Sequence, residues 1–275
     1  MRAFPAAHRR FLAAGVPLTC FVDHPIATDP KAIAILGEVL EDGRSALGAQ
    51  LHAWVNPPFD EPAEPWASYA GNLPRELEAA KLDLLGEAIA AAWGAPLRAY
   101  RAGRYGIGPN TLGLLAERGY RVDSSVRARY DNAPDGPDFA RFGSHAFRRQ
   151  GVVEVPLTTV FTGRCRNPAL YRALSRVPHA RGAAARTGLL QRVALTPEGM
   201  PLSAALAAID AALAEGIELL VFSFHSPSLE PGHTPYVRNA TDRAMFDRWW
   251  DGVLNRLALR GVRATGLDDV IAAAG

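Results

Sequence analysis

Leu97–Val126 reads LRAYRAGRYGIGPNTLGLLAERGYRVDSSV and holds three segments in succession. LRAYRAG has the apolar and aromatic content of a strand. Pro109 to Arg118 has helical spacing and is closed by Gly119, and YRVDSSV is the next strand. Strand, helix and strand at this spacing make a parallel pair joined by a crossover. The pattern extends in both directions. Upstream are a helix at about 6–14, a strand at 16–22, a helix from Pro30 to Glu41, the strand RSALGAQLH, a proline-rich loop and a helix from Pro74 to Trp93 stopped by Gly94. Downstream, 127–150 is irregular with a hairpin, and VVEVPLT is a strand. A partly helical, Arg- and Ala-rich excursion near 165–200 reads as a surface insertion. It is followed by a helix from Pro201 to Glu215, the strand ELLVFSFH, a helix from Thr241 to Leu259 and a short strand near VRATG. Alternation over this length predicts an α/β fold, a TIM-like parallel barrel formed by one domain spanning 1–275.

The composition excludes several classes. The chain has 275 residues, 48% of them hydrophobic, enough for one large core. Thirty Lys and Arg against 28 Asp and Glu leave a formal charge of +2, and no basic run marks a nucleic-acid groove. Lys31 and Lys81 are the only lysines. Cys20 and Cys165 lack metal-ligand spacing and read as free thiols. HRRFLAAGVPLTCFV places two arginines before an apolar stretch, as a secretory leader does, but Gly15 and Pro17 divide it into helix and strand. No run reaches the roughly 20 apolar residues of a membrane span, and a cytoplasmic location is the expectation.

Polar residues recur where strands end. Asp23 and His24 follow the first strand, His52 the second, Arg101 and Arg104 the third; Asp123 and Ser124 lie in or near the end of the fourth, and His225 ends ELLVFSFH. In a parallel barrel these ends share one face and would converge on a pocket. Asp29 is better placed than Asp23 to cap the Pro30 helix, which leaves Asp23 for the site. Arg101, beside small residues, suits a guanidinium that holds a carboxylate, with Asp123 the candidate behind His225. Trp54, Tyr105 and Arg104 are candidates for substrate contact, as is Trp66; each serves equally as loop packing.

LGAQLHAW, YRAGRYGIGPNTLGLLAERGYRVDSSV and VFSFHSP together resemble the polysaccharide deacetylase superfamily (NodB homology, carbohydrate esterase family 4), from about Val16 onward. The resemblance implies a distorted (β/α)7 barrel that removes acetyl groups from sugars with one divalent metal, such as zinc, held by an Asp and two His. Arg101, Tyr105, Gly106, Gly119, Tyr120 and Asp123 take the places of the family's third motif. His225 resembles the histidine that protonates the leaving group, and His52 lies in the segment resembling the metal motif. The chain departs from the pattern by lacking the first-strand Asp-Asp pair and by carrying Gln50 where a histidine is expected. These departures imply a barrel without its usual first strand, with an unpaired edge at 16–22 facing 262–265, and leave Asp23 as the one carboxylate to nominate as base or ligand.

Three functions fit these residues. The first is a hydrolase that removes an acyl group from a sugar or polysaccharide precursor. The second is a catalytically inactive, deacetylase-like domain that binds carbohydrate or forms complexes. The third is a metal-free glycosidase with Asp23 and Asp123 as its carboxylate pair.

Overall fold

Asp29 and Pro30 begin their helix as the sequence predicts: Asp29 Oδ1 accepts the Lys31 N–H at 3.1 Å, and Pro30 has no N–H to leave unpaired. The computed structural model describes residues 2–94 and 97–275. In order these form α1 (Phe4–Ala13), β1 (Thr19–Val22), α2 (His24–Thr28), α3 (Pro30–Leu40), β2 (Ala46–Leu51), α4 (Arg75–Trp93), β3 (Ala99–Ala102), α5 (Thr111–Glu117), β4 (Val122–Asp123), β5 (Phe147–Arg149) and β6 (Val152–Glu154). After them come β7 (Thr159–Thr162), α6 (Pro168–Ala173), α7 (Ala180–Arg186), β8 (Gln191–Ala194), α8 (Leu202–Ala214), α9 (Ala240–Leu259) and α10 (Leu267–Ala274). Gly94, in the left-handed region at φ 65°, ends α4. Asp268 and Asp269 lie in the first turn of α10, where the helix dipole favours them, and Asp269 also accepts the Gly266 N–H.

The fold is mixed α/β with a mostly parallel sheet of six strands in the order β1-β2-β3-β4-β6-β5. Only β5 is antiparallel, folded back on β6 through Gln150 and Gly151 at φ 49° and 81°; the hairpin expected within 127–150 forms instead between the last residues of that region and the strand that follows it. The register sets Gln50 beside Arg101 and Asp123 beside Glu154. The excursion contributes α6 and α7, and β7 pairs antiparallel with β8 as a separate two-stranded sheet that the sequence did not announce.

Two expected strands are not regular strands. Residues 219–224 are extended but bonded only at alternate positions: Thr158 N–H donates to Val221 O, Val221 N–H to Thr158 Oγ1, and Ser223 N–H to Leu195 O. Side-chain packing holds the segment instead. Phe222 lies 6.0 Å from Trp250, and Phe224 lies 5.6 Å from both Trp250 and Phe246. Such aromatic pairs are worth about 0.5–1.5 kcal/mol each beyond their buried area, comparable with the ladder bonds the segment lacks. The stretch near VRATG has no strand pairing among the described residues.

Strand pairing therefore does not close the sheet. Among the described residues β1 pairs with β2 alone. Between β1 and the 217–225 segment lies a cleft of about 2000 Å³, bordered also by 261–267. α1 packs along it: Phe11 meets Trp250 edge to face at 4.9 Å, Arg10 pairs with Asp247 at 2.6 Å, and His8 bonds Asp42 at 2.8 Å. No helix of the described residues is long and apolar enough to cross a membrane.

Candidate active site at the strand ends

Asp23 and His52 end the neighbouring parallel strands β1 and β2, so they emerge side by side. Asp23 Oδ1 caps α2 by accepting the Ile26 N–H at 3.2 Å, while Oδ2 lies 3.4 Å from His52 Nδ1. The cap reading and the site reading are both realised, on different oxygens. Gly103, just after β3, makes room for the imidazole: a Cβ there would stand 2.1 Å from His52 Cδ2 and 2.6 Å from Leu51 O. Next along the sheet, Arg101 lays its guanidinium 4.4 Å over the Phe21 ring and donates from Nε to Ser124 O (3.0 Å) and from Nη2 to Ser124 Oγ (2.9 Å). Arg104 and Tyr105 both take left-handed φ, 54° and 61°, a strain of about 1–3 kcal/mol each of the kind that clusters at ligand sites.

On the opposite wall His225 follows the extended segment. Its Nδ1 lies 2.6 Å from Glu198 Oε2, and its backbone N–H donates to Glu198 Oε1 at 2.9 Å. Ser228 Oγ donates to the same Oε1 at 2.6 Å. A carboxylate at Nδ1 fixes the proton there and leaves Nε2 without a hydrogen-bond partner among the described residues, on a side chain that is 65% exposed and borders the cleft. The Glu198 hydrogen bond raises the imidazole above its ordinary 6.5, against burial and the Arg101 and Arg127 charges. Burial pushes the Glu198 carboxyl up, but the His225 and Ser228 bonds outweigh it and leave it below the ordinary 4.5.

The stability this pair contributes follows from those two directions. The His225 share is complete below about 6.5 and fades as pH rises through the raised value; the Glu198 share is complete above about 4.5 and fades as pH falls through the lowered one. Glu198→Gln is expected to drop the His225 midpoint to 6.5 or below in an NMR titration. An unchanged midpoint would mean that the carboxylate does not control the ring.

Asp23, His52, Arg101, Arg104, Tyr105 and His225 all border the one cleft. Trp54 is not on its wall: it is exposed, with its ring 4.8 Å from that of His52. Asp123 corrects the expectation more sharply. It stands neither behind His225 nor in the cleft, but is fully buried, accepts from Ser125 Oγ at 2.5 Å and lies beside Glu154. Arg101 binds Ser124 rather than Asp123. The group behind His225 is Glu198, which the sequence reading missed. One signal was present, since Glu198 is the only acidic residue between Glu154 and Asp210.

Burial raises both buried carboxyls; for Glu154 the neighbouring Asp123 adds to the rise, and the value lies well above the ordinary one. Between the ordinary and the raised values the folded pair therefore keeps a proton that the unfolded chain has already released. Folding takes up that proton, so stability falls as pH rises above about 4.5 toward the raised folded value. Glu154→Gln keeps an acceptor for the Val126 N–H, now 2.9 Å from Oε1. It is expected to flatten the decline in urea-denaturation stability between pH 5 and 8. The slope left by Glu78, which burial raises to about 7, should persist. A mutant profile parallel to the parent's would show that Glu154 is ionised in the folded protein.

The metal implied by the resemblance does not fit these side chains. Asp23 and His52 are two donors, and among the described residues no three His, Cys, Asp or Glu groups are disposed to hold an ion. Catalytic metal sites ordinarily use three protein ligands.

No protein-family model and no curated protein sequence matches the chain. Among solved structures, it is similar to a putative polysaccharide deacetylase from Mycobacterium smegmatis at 18% identity and TM-score 0.40, over 78% of this chain and 70% of that one. It is also similar to a 4-alpha-glucanotransferase from Thermococcus litoralis at 11% identity and TM-score 0.48, over 93% of this chain and 33% of that one. Neither likeness transfers a residue role to this chain.

Proposed function

We propose that the chain is a deacetylase-like hydrolase, a distorted (β/α)7 barrel interrupted between β1 and the 217–225 segment, that removes an acyl group from a sugar. The observation that carries this reading is His225 on the cleft wall, backed by Glu198, which also accepts from Ser228. His225 Nε2, on a ring kept basic by Glu198, hands a proton to the departing amine or alkoxide, and Glu198 stabilises the imidazolium before transfer. Asp23, supported by His52, takes the proton of the attacking water. Arg101 and Arg104 place positive charge on the same cleft, where an oxyanion develops. Tyr105 offers a ring to the sugar.

Acetate release from acetylated oligosaccharides by the full chain, with metal content measured on the same sample, tests the reading. Release at stoichiometric protein purity supports it, and no release from amide- or ester-acetylated substrates overturns it. The two-donor set at Asp23 and His52 favours a second reading, a carbohydrate-binding domain without catalysis. Saturable oligosaccharide binding without acetate release would identify that case. The third, a glycosidase using Asp23 and Asp123, fails because Asp123 is buried away from the cleft.

A further inference from the structure

Between Glu154 and Glu198 the chain has no acidic residue and seven arginines, a formal +7 in a chain whose total is +2. Among the described residues none of these arginines has a carboxylate within ion-pairing distance, and neither has Arg127. Two of the seven join Arg127 in a stack with three tyrosines. The Arg127 guanidinium lies 5.3 Å from the Tyr105 ring and 3.7 Å from Tyr130; Arg192 lies 3.5 Å from Tyr130 and 5.3 Å from Tyr171; Arg181 lies 4.3 Å from Tyr171. The inner end reaches the candidate site, because Tyr105 and Arg127 line a small pocket with His225 and Glu198. The outer end runs onto the α6–α7 excursion.

A stacked guanidinium gives up hydration on its face and keeps its in-plane N–H groups available. Arg192 donates one N–H to Arg129 O at 2.9 Å and Arg181 one to Tyr171 O at 3.0 Å, which fixes their planes. Arg127 has no side-chain acceptor among the described residues. The result is a row of oriented, uncompensated forks that repel one another and match oxyanions two oxygens at a time. Two guanidiniums stand within 3.7 Å of the Tyr130 centroid and occupy the space over that ring. A nucleic-acid base would need such a face open for stacking, which disfavours a single-stranded nucleic acid.

We propose that the Tyr105–Arg127–Tyr130–Arg192–Tyr171–Arg181 ladder is the track for an anionic polysaccharide, which it guides to His225. The proposal rests on the carbohydrate reading of the site and adds the charge of the ligand. It is tested by the affinity of the full chain for a galacturonate octamer, a neutral glucan octamer and a single-stranded oligonucleotide of equal charge, at 50 and 500 mM NaCl. The octa-uronate should bind tightest, and salt should weaken it. Arg127→Gln with Arg192→Gln should cost about tenfold or more, the size of a charge-assisted hydrogen bond. Lysine at the same positions should recover only part, since charge returns without the fork. Arg172→Glu with Arg176→Glu, on exposed positions of the excursion, should also weaken binding and guards against a folding defect in the stacked pair. Equal affinity for the neutral glucan, tighter binding of the oligonucleotide, or uronate binding that survives every arginine change would overturn the proposal. The readout needs no turnover, so failed acyl release with intact uronate binding rejects the catalytic reading alone.

Discussion

Replacing His225 by alanine is expected to slow acyl release about 10²–10⁴-fold, the usual contribution of a positioned general acid. That equals about 3–5 kcal/mol of barrier. The melting temperature should stay within a few degrees, because the side chain is 65% exposed and fills no core space. The two measurements together separate chemistry from structure. A rate equal to the parent's would reduce His225 to a partner for Glu198 in its loop, and a large fall in melting temperature would assign it to folding. In the surviving protein the high-pH limb of the rate profile should disappear, since the raised imidazole is the group that loses its proton there.

Lys81→Met is expected to be the most destabilising single change away from the aromatic core. Lys81 lies fully buried on α4, and its ammonium donates to the carbonyls of Ala53 (3.0 Å), Asn56 (2.7 Å) and Pro58 (2.5 Å). Glu61 Oε2 stands 2.8 Å away, outside good hydrogen-bond angles. Asn56 returns the contact by donating to Lys81 O at 2.9 Å. Methionine fills a similar volume but leaves three carbonyls and a carboxylate without their cation. Breaking a buried charged cluster from one side costs about 3–5 kcal/mol, or about 5–10 °C of melting temperature for a chain of this size. The loop held by Lys81 starts at the residue after His52, so any activity should fall with it. A loss below about 1 kcal/mol in urea denaturation would show that water replaces the ammonium at no cost.

How far the site was legible follows from the range of each interaction. Strand, helix and strand around Leu97–Val126, the Asp29 cap, the Gly94 stop and the acidic start of α10 are set by neighbours in the chain, and the sequence carries them openly. Strand-end placement of Asp23, His52, Arg101 and His225 was equally legible, because a parallel strand delivers its last residues to one face. Asp123 misled for a local reason. At the end of a short strand one step along the chain changes which side of the sheet a side chain faces, so Ser124 meets Arg101 while Asp123 turns into the interior.

What lay beyond the sequence depends on partners far away along it. Glu198 reaches His225 across 27 residues, and Asp42 reaches His8 across 34. Each partner is selected by how intervening elements pack, and no local pattern marks it. The 219–224 segment has the composition of a strand, yet whether it gains a ladder depends on having neighbours on both sides; one side here is the cleft. The Arg–Tyr ladder gathers side chains from 105, 127–130, 171, 181 and 192, none remarkable in its own stretch. Local propensity and capping act within a few residues and so were written in the sequence. Charge pairing and stacking act through space, and only the tertiary fold brought those charges within reach of one another.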